Sequence, residues 1–173
     1  MLRPALAVAL LLASAAPLSA ATQAEVDGWL ATSPEIVRTT EQSPAGKPST
    51  FVRVRGAQSG GFVLPEIAQR GYLANDQEVM IVPLPSGGSG GVFTTLLFTT
   101  YQGRRQFVGY VPSRGGHLSI MLEEGNLLIR TPIYGPGDPN CCPSTLHYER
   151  ATLKGIKLVT LEQWDEHLAP NRR

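Results

Sequence analysis

Widely spaced cysteines are what this chain lacks first: of its 173 residues only Cys141 and Cys142 carry thiols, and they are adjacent. Neither has a remote partner, which excludes a long disulfide loop and leaves a vicinal disulfide, a free dithiol, a pair of metal ligands or an intermolecular link. There is no C-x-x-C either, so the arrangement that lowers a thiol pKa at a helix N-terminus in thioredoxin-like proteins is excluded. Excess charge is the second absence. The chain holds 15 basic and 14 acidic residues, its arginines are scattered, and its only adjacent pairs are Arg104-Arg105 and Arg172-Arg173. Nothing recommends nucleic acid or an anionic membrane as a partner. No internal repeat of fixed period is visible, and no apolar run beyond the N-terminal segment is long enough to cross a bilayer.

What is there begins with that segment. Arg3 supplies a positive start, residues 5–16 are apolar but short for a span, and Ser19-Ala20-Ala21 closes with small residues at the −3 and −1 positions. This is the pattern of a cleaved signal peptide over residues 1–21, with the cut after Ala21 or one residue earlier. No cysteine lies near the cut, so the processed protein is expected to be free in the periplasm or secreted, with no transmembrane segment and no lipid anchor. Removing residues 1–21 from the 173 leaves 152, enough for one domain that buries roughly 70% of its unfolded surface. Arg3 leaves with the leader, and the remaining basic residues balance the acidic ones.

Thr22-Gln23-Ala24-Glu25 is a capping-box pattern with Val26, Trp29 and Leu30 at helical spacing behind it, and it predicts a short helix. Residues 40–50 carry two prolines, a glycine and no large apolar group, so residues 22–50 read as short helix and linker. Residues 51–55 alternate apolar and basic. From residue 78 onward, β-branched or aromatic runs recur at 79–84, 92–101, 106–111, 118–123, 127–134 and 146–153. Gln102-Gly103-Arg104 and Glu124-Gly125-Asn126 are short enough to reverse the chain directly. A β-rich core is therefore expected over residues 51–160. Residues 161–173 are expected to form a short helix and tail, in which Thr160 caps a stripe of Leu161, Trp164 and Leu168 that Pro170 stops. The fold class that emerges is mainly β: an antiparallel sheet of about six to seven strands built from hairpins, with short N- and C-terminal helices. Arg130 and Glu149 fall on neighbouring predicted strands and are expected as a cross-strand pair.

Two loops draw attention. Ser86-Gly87-Gly88-Ser89-Gly90-Gly91 contains G-x-S-x-G, and Asp138 and His147 follow Ser89 in the chain order of a hydrolase triad. A nucleophile elbow joins a strand to a helix, however, and the segment behind this serine is strongly β-prone, so a flexible connection or a backbone N–H nest for a ligand fits better. The other loop is Gly135-Pro136-Gly137-Asp138-Pro139-Asn140-Cys141-Cys142-Pro143-Ser144. Consecutive Cα atoms sit about 3.8 Å apart across a trans peptide, below the usual disulfide separation, so a vicinal bridge carries strain and is easier to reduce than an ordinary one. Such a bridge also locks a tight turn. Asp138, Pro139 and Pro143 support one here, with Cys142 pushed toward extended backbone by the following proline. A structural bridge in an oxidising compartment is the preferred role for the pair, ahead of redox exchange. A metal site is not expected, since only His117, His147, His167, Met121 and nearby carboxylates could complete a shell. No cofactor is expected.

The strand at residues 79–84, the run Ser86-Gly87-Gly88-Ser89-Gly90, the segment Gly125-Asn126-Leu127-Leu128-Ile129 and the Asp-Pro-x-Cys-Cys-Pro turn together resemble a group of exported bacterial proteins and lipoproteins of the LppP/LprE-like kind. The resemblance spans about half of the mature chain and implies a compartment and a motif, without an activity. In similar proteins the strand at residues 78–81 follows an Asp/Gly-rich loop. Here that stretch is Leu73-Ala74-Asn75-Asp76-Gln77, too poor in carboxylates for the oxygen shell that calcium prefers. The resulting expectation is an exported, non-enzymatic envelope protein, binding or structural, that uses loops 86–91 and 138–143 to engage an envelope component or small ligand. A periplasmic dithiol/disulfide redox protein using Cys141 and Cys142 is the alternative, and a serine hydrolase built on Ser89 comes third.

Overall fold

The structure, a computed structural model, describes residues 19–57, 60–86, 93–113, 120–139 and 142–168. In chain order the elements are β1 (Ser19–Ala20), α1 (Gln23–Leu30), β2 (Ile36–Gln42), β3 (Pro48–Val54), β4 (Gly60–Phe62), a single 3-10 turn (Pro65–Ile67), β5 (Gln69–Tyr72), β6 (Glu78–Pro85), β7 (Phe93–Tyr101), β8 (Arg104–Ser113), β9 (Ile120–Glu123), β10 (Asn126–Ile133), β11 (Thr145–Lys154) and β12 (Lys157–His167). The mainly β, hairpin-built character expected from the sequence holds. The single sheet does not: the strands divide into sheets ordered β1-β5-β6-β7-β8, β12-β11-β10-β9 and β2-β3-β4, with every pairing antiparallel.

The division follows from which faces need cover. Residues 79–84 of β6 are buried without interruption, the mark of a strand covered on both sides. Met80, Val82 and Leu84, with Leu96 and Phe98 of β7, join one core with Val26, Trp29 and Leu30 of α1 and with Ile36, Val52 and Val54 of β2 and β3. Val79, Ile81 and Leu97 point the other way, into a second core with Ile120, Leu127, Ile129, Ala151 and Leu153. The five-stranded sheet is thus the middle of three layers. A sheet extended sideways to six or seven strands would leave one of those two apolar faces wet.

Two-residue loops set the registers. Tyr101 pairs with Arg104 and Glu123 with Asn126. Gln102 and Gly103 have φ of 51° and 71°, and Glu124 and Gly125 have 48° and 73°, the double positive φ of a type I′ turn.

α1 forms as its capping box predicts. The Thr22 hydroxyl accepts from the Glu25 amide at 3.3 Å while the Glu25 carboxylate receives the Thr22 amide at 2.8 Å. Val26, Trp29 and Leu30 are its buried face, and Trp29 packs against Phe98 with ring centroids 6.1 Å apart. Polar contacts anchor the helix from outside: Arg70 of β5 bridges Glu25 at 2.9 Å and Glu78 of β6 at 2.6 Å, and the Arg105 guanidinium lies 4.7 Å from the Trp29 ring centroid.

Two local expectations are corrected. Residues 40–50 contain paired strand rather than linker: Thr40, Glu41 and Gln42 of β2 face Thr50, Ser49 and Pro48 of β3. Their prolines are tolerated because Pro44 lies in the turn and Pro48 opens its strand, where an N–H is least needed. The expected C-terminal helix is not formed among the described residues. Residues 161–167 lie in β12, paired with β11 from Lys154↔Lys157 to Thr145↔His167. The helical stripe of Leu161 and Trp164 is outweighed by the Gly155-Ile156 turn, which lays the segment antiparallel on β11 and supplies a partner for each residue except at one bulge. Thr160 does not cap; its hydroxyl bonds the Glu149 carboxylate.

Candidate functional site

Residues 73–77 form an inter-sheet strut. The Ala74 amide donates to Gly125 O at 2.7 Å, the Asn75 side-chain amide to Leu153 O at 2.9 Å, and Gln77 Nε2 to Thr99 Oγ1 at 2.8 Å and to Gly155 O. The Asn75 and Gln77 side chains are thus committed to β7, β11 and the turn that follows β11. Among the described residues no group of three or more His, Cys, Asp or Glu is placed to hold a metal; His117 and Cys141 lie outside those residues.

β6 and β10 both start beside this strut, and the two candidate loops leave their far ends. Ser86, half-buried, follows β6; Gly87, Gly88, Ser89, Gly90 and Gly91 lie outside the described residues. β4 lies across the exit of that loop. A side-chain carbon added at Gly61 would come within 2.5 Å of Leu84 O and Pro85 O, an approach that only glycine permits.

The second loop, residues 134–144, joins β10 to β11 and is organised by one carboxylate. Asp138 Oδ2 accepts the Gly135 amide and the Ser144 amide, both at 2.7 Å, so a single oxygen fastens the two ends of the loop. Gly135 leaves the room: a Cβ there would stand 3.0 Å from Ser144 Oγ. The amide of Cys142 donates to Pro139 O at 2.9 Å, while residues 140–141 lie outside the described set. Pro143 is buried, Pro139 exposed and Cys142 half-buried. The Leu168 amide, just past β12, donates to Ser144 O at 2.9 Å. Amide donors from Gly135 and Ser144, together with the Ser144 hydroxyl, hold the Asp138 carboxyl below its ordinary pKa. An ionised carboxylate is thereby built into the loop. No free cysteine occurs among the described residues, Cys142 included.

Beside this loop the edge strand β12 of the four-stranded sheet is largely exposed, with β11 half-buried behind it. On one face Tyr148 and Trp164 lie opposite each other and stack, with centroids 5.2 Å apart and planes within 5°. The Arg150 guanidinium lies 5.8 Å from the Trp164 ring centroid and 3.1 Å from Glu162 Oε2, and the Tyr148 hydroxyl donates to Glu166 Oε2 at 2.9 Å. Burial first, then Glu166, raises the Tyr148 pKa above its ordinary value. On the other face His147 Nδ1 lies 2.6 Å from Asp165 Oδ1.

These contacts decide two readings of the sequence. His147 pairs with Asp165 and Asp138 is held by two amides, so the described members of the order Ser89, Asp138, His147 are not brought together. Arg130 and Glu149 do not pair: the register sets Arg130 opposite Tyr148 and Glu149 opposite Ile129, one residue out of phase and therefore on opposite faces. Tyr148, Trp164, Arg150, Glu162 and Glu166 escaped the sequence reading because residues 161–168 read as helix. The two-residue turn at Gly155-Ile156 was the signal for pairing β12 with β11, and the bulge at Arg150/Ala151 shifts the register by one residue to set Tyr148 across from Trp164. Comparison of the chain with protein-family models, with curated proteins and with solved structures gives no match.

Proposed function

We propose that this chain is an exported, non-enzymatic cell-envelope protein, a binding or structural module whose three-layer β domain presents the loops at 86–91 and 138–143 to an envelope component or small ligand in the periplasm or outside the cell. The observation that carries the reading is the Asp138 clamp. A loop whose two ends share one carboxylate oxygen is preorganised, and preorganised loops on a rigid sheet lower the entropy cost of recognition. The resemblance to the LppP/LprE-like group belongs to the same proposal. The test is cosedimentation of the processed protein with isolated cell-wall glycan and outer-membrane fractions, beside an Asp138→Ala variant of matched stability. Saturable binding by the parent, weakened in the variant, supports the reading; no saturable binding to any fraction removes it.

The alternative reading is a dithiol/disulfide redox protein built on Cys141 and Cys142, the two cysteines of the chain. A vicinal bridge in this turn serves either reading, because strain that locks a loop also raises the reduction potential. Electron transfer to a model disulfide separates them. A Cys141→Ser variant as fast as the parent ends the redox reading.

A further inference from the structure

We propose that the processed chain begins at Thr22 and that its new α-ammonium is held by Glu25, as the first member of a charge chain Thr22–Glu25–Arg70–Glu78 that fixes the N-terminus to the central sheet. This rests on the reading of residues 1–21 as a cleaved leader. Hydrolysis of the Ala21–Thr22 amide by a leader peptidase consumes one water, leaving a carboxylate on Ala21 and an amine on Thr22 that is protonated at neutral pH.

Three observations carry the inference. The Thr22 nitrogen already lies 2.8 Å from Glu25 Oε2, so a carboxylate stands where the new charge appears. Glu25 Oε1 is engaged by Arg70 Nη1 at 2.9 Å, and Arg70 Nη2 reaches Glu78 at 2.6 Å, so opposite charges alternate from the terminus to β6. The alternative cut, after Ala20, has no such receptor. It would leave the ammonium on Ala21, whose nitrogen donates to the neutral Ala68 carbonyl at 3.4 Å. A neutral carbonyl is a weaker partner for an ammonium than a carboxylate is.

The helix works against a bare ammonium, because the N-terminus of α1 is the positive end of its dipole. Glu25 in the first turn offsets that field, and the same atoms therefore serve a capping box before cleavage and an ion pair after it. The scissile bond also follows directly on a paired segment: Ser19 pairs with Arg70 and Ala20 with Gln69. Cleavage then has to precede docking of this segment on β5, and it vacates that side of β5. The ammonium's neighbours are Glu25 on its own helix, Arg70 on β5 and, beyond Arg70, Glu78 on β6; Arg105 of β8 lies against Trp29, further along α1. An ammonium whose pKa is raised by Glu25 stabilises the fold fully below its unfolded pKa, and that contribution is lost as pH rises through the folded pKa.

The first experiment is the intact mass and N-terminal residue of the chain exported by a bacterial host. A start at Thr22 is expected. A start at Ala21 overturns this inference and leaves export standing, whereas an uncleaved chain overturns the export reading itself. The second is the pH dependence of selective N-terminal acylation in the processed protein, in Glu25→Gln and in Asp27→Asn, which removes the same charge two residues along the helix. The amine's protonation constant should fall about two- to fivefold in Glu25→Gln and stay near the parent's in Asp27→Asn. Equal values in all three, or equal falls in both variants, overturn the ion pair.

Discussion

Gly61 is the point at which the three-stranded sheet meets the central one, and Gly61→Ala tests that contact directly. The added carbon would stand 2.5 Å from two backbone carbonyl oxygens, Leu84 O and Pro85 O, where unstrained contact needs roughly 3.5 Å. Neither obstacle is a side chain able to swing aside, so β4 itself must lift by about 1 Å. Lifting it disturbs Phe62, which packs edge-on against Phe51 at 5.2 Å, and Val63, a member of the larger core. Overpacking of this kind costs typically about 1–3 kcal/mol. With backbone on both sides, the upper end applies, about 3 kcal/mol, or a fall in Tm of roughly 6–12 °C for a domain of this size. Gly109→Ala is the control: it lies in β8, and a Cβ there meets nothing within 4 Å. Its stability should hold or rise by up to about 1 kcal/mol, because alanine restricts the unfolded chain more than glycine does. Both variants are read by urea and thermal unfolding. A Gly61→Ala protein within about 0.5 kcal/mol of Gly109→Ala, at unchanged m-value, refutes close seating of β4 on β6. The outcome bears on the candidate site because Leu84 and Pro85 lead straight into Ser86 and the Gly-rich loop.

Two further outcomes follow from the four-stranded sheet. Asp138→Ala should speed hydrogen exchange at the Gly135 and Ser144 amides several-fold while leaving the amides of β10 and β11 protected; unchanged exchange at both would mean that the clamp does not hold the loop. The sign of its pH dependence follows from the depressed pKa: the clamp is fully formed above the ordinary aspartate pKa of about 3.9 and is lost as pH falls through the lower folded value. The parent's exchange at these two amides should therefore approach that of Asp138→Ala only in strong acid, and convergence near neutral pH would contradict the assignment. Tyr148→Ala and Trp164→Ala, singly and together, should show a coupling of about 0.5–1.5 kcal/mol. Zero coupling would return residues 161–168 to a helix or a frayed tail.

Local signals carried much of the architecture. The Thr22–Glu25 box and the Val26, Trp29, Leu30 stripe specify α1, and the Gly103 and Gly125 turns specify two hairpins, because each feature is complete within a few residues. β2, β4 and β5 were not legible as strands. β4 reads Gly60-Gly61-Phe62, with the composition of a turn, and holds its place because small residues allow the backbone of β4 to lie against that of β6. The division into three sheets was also hidden. It depends on Met80, Val82 and Leu84 facing one core while Val79 and Ile81 face another, and a continuous apolar run says only that both faces are covered. β12 failed for a related reason: Leu161 and Trp164 fit a helical period over one turn, but cross-strand pairing to β11 supplies more partners than a lone amphipathic turn can.

The candidate site shows the same boundary between order along the chain and distance in space. Ser89, Asp138 and His147 occur in the sequence order of a hydrolase, yet a triad needs its carboxylate on the imidazole. Asp138 Oδ2 already receives two amides at 2.7 Å, and their removal would open the loop that those bonds close. His147 finds its carboxylate in Asp165, 18 residues along the chain, because the Gly155-Ile156 turn brings β12 back beside β11. Strand register decides both partnerships. Register is a property of paired segments, set by a turn and by the face that must be buried, and no spacing within one segment encodes it. What remains legible at Asp138 from the sequence is its setting: an aspartate among glycines and prolines is where a loop is most readily tied, and that is the role in which the fold uses it.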